Sequence, residues 1–278
     1  MGRQYAGVAP LCVHWYHLNT ICLIVGDCVF LRVAFLAQLP EYLHGILLSL
    51  KVMAAIALLD TQQKKIHIHA RLVLYGSEAS PHSARAIVEE INRMYNEPQE
   101  KIRFRGELYR AFFIVEYALL TIEEATGYIA HNTDFQNNFI RLEKENIITR
   151  SFMGFGLGDN VGHWIVTDQL GSSTTAAHEF GHGLGLDHPT RLDYRGSSSP
   201  PPIMAPRGTI VDPHYQWEPS AKAGEIGGTM KPYHRRVSTE EIQLIVNNLI
   251  FGPDGSAFIG RLSNVAFDHI GLPIEPIS

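Results

Sequence analysis

The patterning of this chain predicts an α+β domain, a mixed twisted sheet with helices packed on it. Three observations lead there. The run KIHIHARLVLYG from Lys65 alternates and is rich in β-branched and apolar residues, as a half-buried strand is. SPHSARAIVEEINRMYNEP follows with apolar residues at helical spacing. Further strand-like runs then lead into a second helical stretch, TTAAHEFGHGLGL, and strands and helices in that mixed order fit helices on a mixed sheet.

Taken in order, residues 1–59 differ from everything after them. NTICLIVGDCVFLRVAFLAQL and YLHGILLSLKVMAAIALL are apolar and near the length that crosses a bilayer, although Asp27, Arg32 and Lys51 interrupt them. Ala55 and Ala57 have the small-x-small pattern of a processing site. The segment therefore reads either as a signal or membrane segment or, with Met53 as the start, as an upstream extension over residues 1–52. The first reading makes the protein secreted or membrane-anchored, the second cytoplasmic, and any membrane association runs through residues 1–59. Cys12, Cys22 and Cys28 all lie in this segment, so no disulfide or cysteine-ligated metal is available to the remainder.

A single domain is expected over residues 60–252. In its first helix Ala84, Ile87, Ile91 and Met94 form the apolar stripe, Glu89, Glu90 and Arg93 lie off it, and Pro98 ends it. KIRFRGELYRAFFIVEYALL reads as one or two strands, and a helix from Glu107 fits the same residues. After the polar stretch HNTDFQNN come two more strand-like runs, NIITRSF and GHWIVTD. SSSPPPIMAPRG is a turn-rich loop. VSTEEIQLIVNNLI is a helix opened by a Ser238–Glu241 capping box, with Ile242, Ile245, Val246 and Leu249 on its buried face. Residues 253–278 read as a tail that Pro273 and Pro276 keep irregular.

Composition excludes little else. Hydrophobic residues make up 45% and charged residues 18%, as in ordinary globular proteins. A net charge of −5, with no long run of Lys or Arg, argues against nucleic acid as the partner.

The chemistry is concentrated in AAHEFGHGLGLDHP. On a helix, positions i and i+4 share a face, so His178 and His182 can direct both imidazoles at one metal ion. Glu179, the neighbour of His178, projects beside the ion, where a general base for an activated water belongs. His188, ten residues from His178, would stand about 15 Å away if the helix continued. Gly185 removes the difficulty, because glycine tolerates the left-handed conformation that ends a helix and turns the chain back. His178, His182 and His188 are then three ligands of a single catalytic zinc, with a fourth position left for water.

The pattern H-E-x-x-H-x-x-G-x-x-H resembles the signature of the metzincin zinc endopeptidases, most closely its matrixin form. That resemblance implies a metzincin-like peptidase domain and hydrolysis of internal peptide bonds of a protein or peptide substrate. It also implies that Met204, in PPIMAP, sits in a tight turn beneath the ligand histidines without binding the metal. Calcium belongs with the resemblance too, without ligands that can be assigned. The chain departs from the family in places. Pro189 follows the third histidine as in serralysins, Pro206 stands where serralysins carry a tyrosine ligand, and no prodomain cysteine motif is present. His131 and Asp134 do not reproduce the spacing of the matrixin structural zinc site.

GHWIVTD is the expected edge strand for an extended substrate. Tyr215 and Tyr233 read first as packing residues and only second as helpers for the oxyanion, and His67 and His69 share a strand face outside the site. Two other functions fit the same motif: hydrolysis of a non-protein amide, and a zinc-stabilised module that binds peptides without cleaving them. Oligomeric state is open.

Overall fold

A computed structural model of the chain describes residues 13–16, 20–23 and 53–274. The chain divides into two compact units, Met1–Leu50 and Lys51–Ser278. In the first, strands β1 (Val13–Tyr16) and β2 (Thr20–Leu23) form an antiparallel pair. The remainder of the two apolar stretches before Met53 lies outside the described residues. Among the described residues no helix is long and apolar enough to cross a membrane.

The second unit is α+β, built on an eight-stranded mixed sheet. Strand β3 (Met53–Asp60) pairs antiparallel with the first half of β4 (Lys65–Tyr75). Along its other edge β4 pairs parallel with β6 (Glu107–Leu119), which carries the short β5 (Ile102–Phe104) as a hairpin partner. The second half of β4 pairs parallel with β7 (Asn137–Glu143), and β7 with β9 (Val161–Ile165). The short β8 (Phe152–Met153) closes that side, antiparallel to β9. At the opposite end β10 (Ser256–Gly260) pairs antiparallel with β3.

Strands β3 and β10 move both expected boundaries outward. Residues 53–59 do not belong to a separate apolar segment, because Ala55 and Ala57 are wholly buried in a strand flanked on both sides. Cleavage after Ala57 would cut through that strand. Nor are residues 253–274 a plain tail: they supply β10 and a small antiparallel pair, β11 (Ala266–Phe267) with β12 (Pro273–Ile274). Proline is tolerated at Pro273 because an edge position needs no N–H from it; Pro276 lies outside the described residues.

Helix α1 (Pro81–Asn96) starts on Ser80 with a capping box and buries its apolar stripe against β6 and the helix over Thr175–Gly183. Asn92 and Asn96, one turn apart, each exchange two hydrogen bonds with the free edge of β6, at Val115 and Phe113. That covers backbone groups an edge strand would otherwise expose. Helix α2 (Ile122–Ala130), capped by Thr121 and Glu124, was not expected from the hydrophobic pattern. It packs on the opposite face of the sheet, where Val73, Tyr75, Phe139 and Phe267 form a second core. The main core lies between the sheet and helices α1, α3 (Thr175–Gly183) and α4 (Thr239–Asn247).

Candidate metal centre and cleft

Helix α3 carries the motif, and its first turn is held from outside. Thr174 precedes it in a left-handed conformation without a side-chain cap of its own. Instead the carboxylate of Glu90, on α1 and only 1% exposed, accepts from Thr174 N at 3.1 Å and Ala177 N at 3.2 Å. A buried carboxylate at a helix N-terminus satisfies orphan N–H groups and complements the dipole.

The other end turns as the sequence requires. Gly185 has φ +87°, the region glycine enters without a Cβ penalty. Leu186 N donates to Gly181 O at 2.9 Å and Gly185 N to His182 O at 3.0 Å, which closes a Schellman motif. The reversed chain brings His188 back over the helix. His188 Nε2 lies 3.2 Å from both His178 Nε2 and His182 Nε2.

Two of the rings are fixed through their other nitrogens. His178 Nδ1 lies 2.7 Å from Ile203 O, and His182 Nδ1 lies 2.9 Å from Leu186 O. A carbonyl only accepts, so each Nδ1 carries the proton and each Nε2 keeps its lone pair for the shared centre. Burial lowers all three imidazole pKa values, holding that of His178 well below the usual range and bringing that of His182 to about 4. They are neutral at pH 7, as metal ligands must be. Four-coordinate nitrogens at about 2.0–2.1 Å from one ion stand about 3.3 Å apart, so the spacing fits a tetrahedral site. The three histidines can hold a metal ion.

Beneath them runs the loop with Met204. Ile203 supplies the carbonyl that orients His178, and the Met204 side chain packs under the middle of α3 against Gly181. Glu241, in the capping box of α4, also accepts from Met204 N at 2.9 Å and Ile203 N at 3.2 Å. One buried carboxylate thus starts α4 and anchors the turn.

Glu179 is buried beside the histidines, 7% exposed. Burial pushes its carboxyl up to about 8, Asp168 adds to that, and Arg235, Arg150 and Arg207 oppose it. Arg235 is itself buried, with Nε donating to Thr174 Oγ1 at 3.0 Å and Nη1 to Ala205 O at 3.3 Å. It ties the first turn of α3 to the Met204 loop. Arg207 pairs with the buried Asp168, which also accepts from Ser151 N at 2.7 Å. These groups line a cleft of about 560 Å³ along the histidines, walled by Phe152 to Leu157. A second cavity, of about 570 Å³, adjoins it across the Asp168–Arg207 pair.

No family model matches the chain, and no curated protein matches it.

All four residues of the motif therefore converge, while other expectations change. GHWIVTD is not an edge: β9 is buried throughout and flanked by β7 and β8, because Phe152–Met153 adds one more strand. Only those two residues of the NIITRSF–Met153 stretch become a strand. Tyr215 packs against His214 and His234, and Tyr233 is exposed on the rim of the second cavity; neither lines the histidine cleft. His67 stacks on Phe112 and stays outside the site. The supporting residues Glu90, Arg235, Asp168 and Arg207 carry no local signal. None belongs to a motif, and only the folded chain brings them to α3.

Proposed function

We propose that this chain is a zinc-dependent endopeptidase of metzincin type, cleaving internal bonds of protein or peptide substrates. One observation carries the reading: three Nε2 atoms converge at metal-ligand spacing with a buried glutamate next to the first. An all-imidazole set with room for a fourth ligand suits a catalytic zinc better than calcium or magnesium, which take oxygen ligands. Zinc held by His178, His182 and His188 would supply a Lewis acid to polarise the scissile carbonyl and acidify a water molecule. A divalent cation beside Glu179 also favours its carboxylate form against the effect of burial.

Glu179 then accepts the proton of the attacking water and returns it to the departing amine. His178 and His182 are kept in the ligating tautomer by the carbonyls of Ile203 and Leu186. Among the described residues strand β8 pairs on one side only, and it and the following loop line the cleft. An extended substrate adds to that edge antiparallel, with β8 in the role first assigned to GHWIVTD.

Removal and return of zinc test the proposal. Dialysis against a chelator should abolish cleavage of an unfolded protein substrate, and stoichiometric zinc should restore it. Activity that persists after the zinc is removed would refute the reading. Zinc-dependent cleavage of cell-wall fragments, with protein untouched, would replace it by the non-protein amide.

A further inference from the structure

We infer that the second cavity selects an acidic side chain immediately C-terminal to the scissile bond, with Lys231 as the selecting residue. The inference rests on the peptidase reading and assigns the substrate class of that site.

Strand direction gives the side of the bond. β8 begins beside the second cavity, where Ser151 N donates to Asp168. The segment after it ends at the other side of the histidines, where Gly158 N donates to His182 O at 2.7 Å. A substrate antiparallel to that edge passes the histidines and then runs toward Ser151. Its residues after the scissile bond lie toward Asp168, Arg207 and the cavity beyond them.

Charge gives the chemistry. The chain as a whole is acidic, at −5. The cavity nevertheless has two cations in its lining, Arg207 and Lys231, against the single anion Asp168. Asp168 is already committed to Arg207 and to Ser151 N. Lys231 makes no ion pair among the described residues; its ammonium stands 5.6 Å from the Trp217 ring centroid, at the exposed rim. An aromatic face holds the lysine stem in place without neutralising its charge. Hydroxyls of Thr175 and Thr229 line the same cavity and can complete the solvation of a carboxylate. A lysine or arginine side chain entering here meets a net positive wall, and a plain aliphatic one gains nothing from the Lys231 charge.

The test uses quenched peptides that differ only at this position, with Glu, Gln, Leu or Lys, and the zinc-loaded wild type, Lys231→Met and Lys231→Glu proteins. Wild type should cleave the Glu peptide with a kcat/KM about tenfold above the Gln peptide. Lys231→Met should level the two, and Lys231→Glu should turn the preference toward Lys. In parallel, fluorescence anisotropy should show the same order of peptide binding to Glu179→Ala protein, where no turnover intervenes. Equal rates for Glu, Leu and Lys peptides, or a Glu preference that survives Lys231→Met, would overturn the inference and leave the peptidase reading standing. Failure of wild type to cleave any of the peptides would remove both.

Discussion

Gly181→Ala is the substitution that best tests how the helix sits on the Met204 loop. Alanine is the better helix former by about 1 kcal/mol, so propensity alone would make the variant more stable. The surroundings reverse the sign. A Cβ at this position falls inside the van der Waals envelope of Met204 Sδ and only 2.8 Å from Tyr95 Oη. Neither can withdraw. Met204 is 2% exposed, with its backbone tied to Glu241, and Tyr95 is wholly buried and donates to Ala177 O at 3.2 Å. Overpacking of a tight core costs about 1–3 kcal/mol, which exceeds the helical gain. The net loss, up to about 2 kcal/mol, corresponds to a Tm lowered by up to roughly 8 °C in a domain of this size. Thermal melts followed by circular dichroism measure it, and a cycle with Met204→Ala identifies the cause. Coupling between positions 181 and 204 should exceed about 0.5 kcal/mol, because the truncated methionine makes room for the new methyl. Gly185→Ala is the control: its Cβ would meet nothing within 4 Å, but φ is +87°, so it loses about 1–2 kcal/mol through the backbone, without coupling to Met204. A Gly181→Ala protein that melts at or above wild type would refute the packing described here.

Other consequences follow from the same contacts. Glu241→Gln replaces one acceptor oxygen by a donor, so one of the N–H groups of Ile203, Met204 and Ser238 loses its partner, at about 1–3 kcal/mol. Zinc retention after dialysis should fall with Tm, since Ile203 O orients His178; unchanged retention would separate the loop from the ligand. Metal-free protein should weaken in acid. The pKa of His182 is near 4 folded and near 6.5 unfolded, so its contribution is intact above pH 6.5 and is lost as the pH falls toward 4. The span is worth about 3 kcal/mol, with His178 shifted in the same direction. Urea titrations across that range should show His182→Asn protein with the flatter profile, and equal slopes would contradict the burial of neutral imidazole.

How much could be read beforehand follows from the range of the forces involved. The turn at Gly185, the stripe of α1, the Ser238–Glu241 box and the buried face of α4 are local, and periodicity and cap chemistry expose them. The pairing of β3 with β10 joins residues about two hundred positions apart, and nothing local in either announces it. The edge strand was misplaced for a related reason. GHWIVTD has the stronger strand pattern because both its faces are buried, whereas Phe152–Met153 is too short to show any period. Helix α2 was legible in hindsight through Thr121 and Glu124, a capping box before an apolar run, and was hidden by its short length. Among the charges, Glu90 lies off the apolar stripe of α1 yet is buried. Its partners are the backbone N–H groups of another helix, which a sequence does not display.

The central claim is that the histidines hold a zinc and Glu179 does the proton chemistry. One paired measurement tests it: zinc content and peptide cleavage for wild type and Glu179→Ala over residues 53–278, the span in which the described sheet is complete. Stoichiometric zinc in both proteins, with cleavage in the wild type alone, is the predicted result. Cleavage by the Glu179→Ala protein at a rate near wild type, or wild-type protein that binds no zinc, would contradict the account.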